Sequence, residues 1–154
     1  MRLAVVVGVL ALAGSSAALV SAQRTAQPVM EIYKSPTCGC CSKWVEHVEA
    51  AGFATKVMDI DDASLDQLKT KRGVPATAQS CHTAFVNGYV VEGHVPAPEI
   101  HRMLRERPAI AGIAVGGMPT GSPGMEVPGR AAQQYNVVTF DKQGAVRVYS
   151  VQNR

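Results

Sequence analysis

From residue 29 onward, apolar and polar residues alternate in short blocks whose period changes from block to block. "VMEIYKS" (29–35) combines β-branched and aromatic residues and breaks at Pro36, which predicts a strand. In "SKWVEHVEAAG" the apolar positions Val45, Val48 and Ala51 recur at helical spacing until Gly52 ends the run. "FATKVMDID" predicts a second strand. Asp62 is a suitable N-cap for a short helix through Leu65 and Leu68, closed by Gly73 and Pro75. "HTAFVNGYVVEGHV" reads as a hairpin, with Asn87-Gly88 supplying the two turn residues that favour positive φ. Pro98 opens a third helix, with Ile100, Met103 and Leu104 inward, ending before Pro108. "AIAGIAVGGMPTGSPGMEVPG" (109–129) is too rich in Gly and Pro for a helix and predicts a long functional or mobile loop. "YNVVTFDKQGAVRVYS" closes the chain as a hairpin turning at Lys142 to Gly144.

This order predicts an α/β, thioredoxin-like fold: a mixed sheet flanked by helices, in which a βαβ unit feeds an antiparallel hairpin and a closing helix. A C-terminal hairpin and the long loop extend it. The N-terminal "MRLAVVVGVLALAGSSAALVSAQ" has one early charge at Arg2, an apolar run from Leu3 to Leu12, and the small residues Val20-Ser21-Ala22. That is the pattern of a secretory signal peptide. The expected organisation is therefore a signal peptide over 1–22, a short linker over 23–28 and one domain over 29–154, with a mature protein in the bacterial periplasm. An uncleaved membrane anchor is the alternative, and Gly8, Gly14 and the Ser-rich end weigh against it.

With 154 residues, 47% of them apolar, the chain suffices for one domain with its own core. The net charge of +3 is spread without a Lys/Arg run, which argues against a nucleic-acid partner. Membrane contact is expected only through the leader. Four cysteines are too few for a disulfide scaffold that replaces a core.

Three of those cysteines, Cys38, Cys40 and Cys41, crowd into "SPTCGCCSKW", and the fourth is Cys81. The triplet falls where the first strand meets its helix, the position of the Cys-x-x-Cys redox motif in thioredoxin-like proteins. A helix N-terminus lowers thiol pKa values, and a thiolate is both the nucleophile of disulfide exchange and a ligand for soft metals. The location supports either chemistry. Counting back from the Asn87-Gly88 turn, Cys81 falls near the place where a thioredoxin carries its platform cis-proline, and no proline stands there; Pro75 is several residues too early. Such a change damages a general reductase and completes a pocket of four thiols.

Cys38 and Cys41 satisfy the Cys-x₂-Cys spacing of zinc sites. Adjacent Cys40 and Cys41 are awkward for one tetrahedral ion, and thiolates bridging several copper(I) ions fit the crowding better. Two plain disulfides would leave the triplet unexplained. Met118 and Met125, in the long loop, are candidate thioether ligands. His82 alternates to the opposite face from Cys81 if both lie in a strand, which predicts a surface or core role. His47 lies roughly 10 Å along the helix axis from Cys40 and is expected in solvent. His94 and His101 are expected at the surface, Trp44 in the core or lining a groove, and Met30, Met58 and Met103 in the core. Asp61-Asp62 reads as a strand end and helix cap.

"SPTCGCC", "SCHTAFVNGYVVEGHVP" and "GGMPTGSPGME" together resemble the CopG-type copper-resistance proteins, small exported bacterial proteins with a thioredoxin-like fold. The resemblance runs from about Val29 to Val151. It implies a multinuclear copper(I)–thiolate cluster on Cys38, Cys40, Cys41 and Cys81, copper-linked redox activity in the periplasm, and partners among other periplasmic copper-resistance proteins. Two function classes remain: a copper-binding protein of copper resistance, and an enzyme, a periplasmic thiol–disulfide oxidoreductase with Cys38 as nucleophile and Cys41 as resolving thiol.

Overall fold

The computed structural model describes residues 28–154; the leader assigned to 1–22 and most of the linker lie outside that range. The elements are β1 (Met30–Lys34), α1 (Gly39–Ala50), β2 (Thr55–Asp59), α2 (Asp62–Lys71), a 3-10 turn (Ala76–Ala78), β3 (His82–Val86), β4 (Tyr89–Glu92), α3 (Ala97–Glu106), β5 (Gly112–Ala114), β6 (Tyr135–Phe140) and β7 (Val146–Gln152). They form one mixed seven-stranded sheet in the order β2-β1-β3-β4-β5-β6-β7. β1 and β2 run parallel through the α1 crossover, and β3 and β4 form the antiparallel hairpin beside β1. The βαβ unit, hairpin and closing helix expected from the element order are therefore present. No helix among the described residues is long and apolar enough to cross a membrane.

Periodicity explains most of the core. β1 alternates strictly, burying Met30, Ile32 and Lys34 on one face. α1 buries Cys41, Trp44, Val45 and Val48, one stripe at helical spacing. α3 buries Ile100 and Met103, with Leu104 packed at the margin. Trp44 is wholly buried, and its indole N–H donates to the Val95 carbonyl at 2.9 Å, which satisfies the one polar atom it takes inside. The turn residues Asn87 and Gly88 have the expected positive φ values, 48° and 84°.

Four expectations need correction. α1 starts at Gly39, three residues before Ser42, so Cys38 is its N-cap and Cys40 and Cys41 lie in its first turn. Asp61, rather than Asp62, caps α2, accepting from the Ser64 N–H at 2.9 Å. Met58 is only half-buried, because β2 is an edge strand with one open side. The stretch after Pro108 is not all loop: β5 pairs parallel to β4 and antiparallel to β6. Three residues are too few to show a period, and Gly112 disguises the strand. Any Cβ there would run into the Val90 carbonyl and the Phe140 ring, so glycine permits this close approach.

Candidate metal centre

The helix-start geometry gathers the thiols. Cys41 points from the first turn of α1 into the core and is wholly buried, whereas Cys38 and Cys40 are half-buried. Cys81 comes from the segment just before β3, the strand that pairs with β1, and so meets the α1 N-terminus. The four Sγ atoms all lie within 4.8 Å of one another. Cys38 Sγ is 3.5 Å from Cys40 Sγ, and Cys41 Sγ is 3.4 Å from Cys81 Sγ. Cys38 and Cys41 are joined in a disulfide, their Cα atoms 5.3 Å apart; Cys40 and Cys81 carry free thiols. All four can act as thiolate ligands only once that disulfide is reduced.

This clustering removes the objection to a single ion. Tetrahedral metal–sulfur bonds of about 2.3 Å require sulfurs roughly 3.8 Å apart, and adjacent Cys40 and Cys41 do reach a common centre. The sulfur positions alone are compatible with one ion or several.

Cys81 is held by a buried polar network. Glu92 of β4 is wholly buried, and its Oε1 accepts from Lys69 Nζ of α2 at 2.5 Å and from the Ser80 N–H at 2.8 Å. Lys69 also donates to Thr83 Oγ1 at 3.0 Å, and the Thr83 hydroxyl donates to Glu92 Oε2 at 2.6 Å. Burial pushes the Glu92 carboxyl above its usual range, with Lys69, Thr83 and Ser80 pulling the other way. The network ties α2, β3 and β4 to the residue preceding Cys81. Burial, and next the neighbouring Cys40, push the Cys81 thiol up to about 12. At neutral pH in the metal-free protein Cys81 is a thiol, and a metal must displace its proton.

Two histidines expected away from the site belong to it. His94 is buried rather than exposed; its Nε2 lies 3.0 Å from Cys81 Sγ and its Nδ1 donates to the Pro123 carbonyl at 2.7 Å. His82 is buried, as one of its expected roles allowed, but it does not turn away from Cys81: its Nδ1 is 3.5 Å from that sulfur. Cys81 lies in a bend before the strand, so strand alternation does not govern the pair. The His82 ring packs against Trp44, ring centroids 4.3 Å apart, and meets His94 edge-on, while its Nε2 has no hydrogen-bond partner. Burial lowers the pKa of both imidazoles, for His82 with help from His94 and Lys69. The remaining two histidines are half-buried: His47 Nε2 accepts from the Ala97 N–H at 3.0 Å, and His101 stacks on Phe53.

The Gly/Pro-rich loop folds back over this corner. Gly124, at φ +85°, sits so close to α1 that a Cβ would meet the Cys40 carbonyl at 2.8 Å and the Trp44 nitrogen at 2.9 Å. Met118 is 52% exposed and Met125, next to Gly124, is half-buried. A sequence signal for the histidines existed in the Cys-His pair 81–82 and in "GHVP" after the hairpin, but it acquires meaning only when the fold brings them to the thiols.

A family model described as a protein of unknown function, DUF411, matches residues 78–125, the stretch holding Cys81, His82, His94 and the folded-back loop. No curated protein sequence matches the chain. Two solved structures do. "Copper resistance protein copG", form 1, is 40% identical, with 83% of this chain and 99% of that one covered and a TM-score of 0.75. Form 2 is 41% identical, with 82% and 99% covered and a TM-score of 0.73. At that identity, over almost the whole described domain, the chain belongs to the CopG family of copper resistance proteins.

Proposed function

We propose that this protein binds copper(I) in the periplasm through Cys38, Cys40, Cys41 and Cys81, more than one ion per chain, as part of copper resistance. The observation that carries this reading is the convergence of four sulfurs to within 4.8 Å in a member of the CopG family. Soft, polarisable thiolates favour copper(I), and crowded thiolates share their charge by bridging several cations. The half-buried Cys38, Cys40 and Cys81 leave an approach for the metal, and the α1 N-terminus favours the negative charge of the sulfurs. The form that takes up copper(I) is the reduced one, with Cys38 and Cys41 as thiols rather than the disulfide; each copper–sulfur bond then formed releases the thiol proton to solvent. On this reading the domain is thioredoxin-like in descent and residues 1–22 are a cleaved export signal. Other periplasmic copper-resistance proteins are then the natural partners, and Met125 is better placed than Met118 as an additional thioether.

Anaerobic copper(I) titration of reduced protein should saturate above one ion per chain, with Cu–Cu scattering in X-ray absorption. Cys40→Ser should lower that number while leaving the Cys38–Cys41 pair oxidisable. A clean end point at one ion, or preference for zinc, would sink the cluster. The disulfide itself favours a second reading, a thiol–disulfide oxidoreductase that attacks through Cys38 and resolves through Cys41. Turnover of a protein disulfide at the rate of a thioredoxin would select it; Cys81 in place of a substrate-platform proline counts against it.

A further inference from the structure

The Gly/Pro-rich stretch 116–130 is a strap fastened on two sides of the four thiols. At its start the Gly117 N–H donates to the Gln79 carbonyl at 3.0 Å, and the Ser80 hydroxyl donates to the Gly117 carbonyl. This end therefore lies along the segment that leads into Cys81. Further on, Gly124 rests against the Cys40 carbonyl and the Trp44 nitrogen of α1, and the Pro123 carbonyl accepts from His94 Nδ1 at 2.7 Å. Ser122, between these points, is wholly buried, and its hydroxyl donates to the Pro119 carbonyl at 2.8 Å. Thr120 and Gln133 close the base with two bonds, of 2.8 and 2.9 Å.

This fastening uses main-chain groups that lie beside the thiols. Gly117 takes the Gln79 carbonyl, and Glu92 Oε1 takes the Ser80 N–H at 2.8 Å. An extended polypeptide docks on a strand through groups of this kind, and here they are already paired within the chain. The sulfurs are not sealed, however. Cys38, Cys40 and Cys81 are half-buried, and only Cys41 is wholly buried. Partial exposure of single sulfur atoms suits a small molecule or an ion better than a polypeptide laid across them.

We propose that the strap is a specificity element: it takes the place of an extended polypeptide beside Cys81 and restricts reduction of the Cys38–Cys41 disulfide to dithiols of low molecular mass. This rests on the reading of the four-thiol pocket as the working site, and it names the class of reductant that prepares that site. Burial sets the direction of attack, since Cys38 is the reachable half of the disulfide. One thiolate of the dithiol bonds to Cys38 Sγ, the Cys38–Cys41 bond breaks, and Cys41 leaves as a thiolate. The second thiolate of the same dithiol then attacks the mixed disulfide and expels Cys38. Two electrons pass to the protein, the dithiol becomes a cyclic disulfide, and its two protons end on Cys38 and Cys41.

The test follows reduction of this disulfide in metal-free protein, so its outcome is independent of the copper titration. At equal dithiol concentration, dithiothreitol should reduce wild type faster than reduced thioredoxin does. Gly124→Ala and, more mildly, Ser122→Ala loosen the strap without touching a thiol. In variants that circular dichroism shows to be folded, the thioredoxin rate should rise with the open population, by roughly tenfold or more for Gly124→Ala, while the dithiothreitol rate changes less than about threefold. Reduction of wild type by thioredoxin at least as fast as by dithiothreitol would overturn the strap's role. So would variants in which both rates rise together or neither moves. If Gly124→Ala does not fold, Ser122→Ala and the wild-type comparison still decide. A selective strap on a protein that takes up no copper would sink the copper reading alone.

Discussion

Replacing Lys69 by methionine tests whether the buried network behind Cys81 is as consequential as its geometry indicates. Methionine fills the aliphatic stem of lysine but removes the ammonium that lies 2.5 Å from Glu92 Oε1. Both side chains are almost wholly inaccessible, at 2% and 0%, so solvent cannot take over the carboxylate. Leaving one member of a buried pair uncompensated typically costs about 3–5 kcal/mol. That is a large part of the roughly 5–15 kcal/mol available to a domain. In the double variant Lys69→Met/Glu92→Gln the charge is gone, while the Gln carbonyl oxygen takes the place of Oε1 and accepts from the Ser80 N–H, and its NH2 takes the place of Oε2 and donates to the Thr83 hydroxyl oxygen. It should regain more than half of the loss. Glu92→Leu would not, because it strands the Ser80 N–H and the Thr83 hydroxyl at about 1–3 kcal/mol each.

The pH dependence of Lys69→Met has a definite sign. Burial already raises the Glu92 pKa above 4.5 in the folded state, and losing the ammonium raises it further. The folded variant therefore binds the proton more tightly than the unfolded chain. Its stability is best below about 4.5 and falls as pH climbs through the folded pKa, so the gap to wild type should widen from pH 4.5 to 7. Urea denaturation of metal-free protein, with the Cys38–Cys41 disulfide kept intact in every sample, measures this. A loss under about 1 kcal/mol for Lys69→Met, or a double variant no better than the single, would refute the reasoning.

Gly124→Ala combines a φ of +85° with backbone contacts to Cys40 and Trp44 that cannot move aside; it should cost about 1–3 kcal/mol and expose residues 116–130 to limited proteolysis. Unchanged stability and cleavage would show that the loop does not rest on α1. His47, His82 and His94 all have pKa values held below 6.5, chiefly by burial. The unfolded chain then protonates first, and their contribution, present above pH 6.5, is lost as pH falls below it, opposite in sign to Glu92. His47→Gln, which can still accept from the Ala97 N–H, should flatten the decline between pH 7.5 and 5.5; an identical slope would mean that His47 protonates in place.

What the chain determines by itself is what local physics controls. The alternation in 30–34, the helical spacing of Val45 and Val48, and the Asn87-Gly88 turn each specify an element over a few residues, and each is present in the structure. The three clustered cysteines were visible for the same reason, since neighbours in sequence stay neighbours in space. β5 was not legible, because three residues with a glycine carry no period and become a strand only by pairing with β4 and β6 at once. Met58 looked like core until β2 proved to be an edge strand. The Lys69–Glu92 pair joins residues 23 positions apart, and His94 reaches Cys81 across 13. No composition or spacing states those distances. Only the tertiary structure, by laying β3 between β1 and β4 and folding the loop over α1, places a charge pair behind Cys81 and two imidazoles beside it.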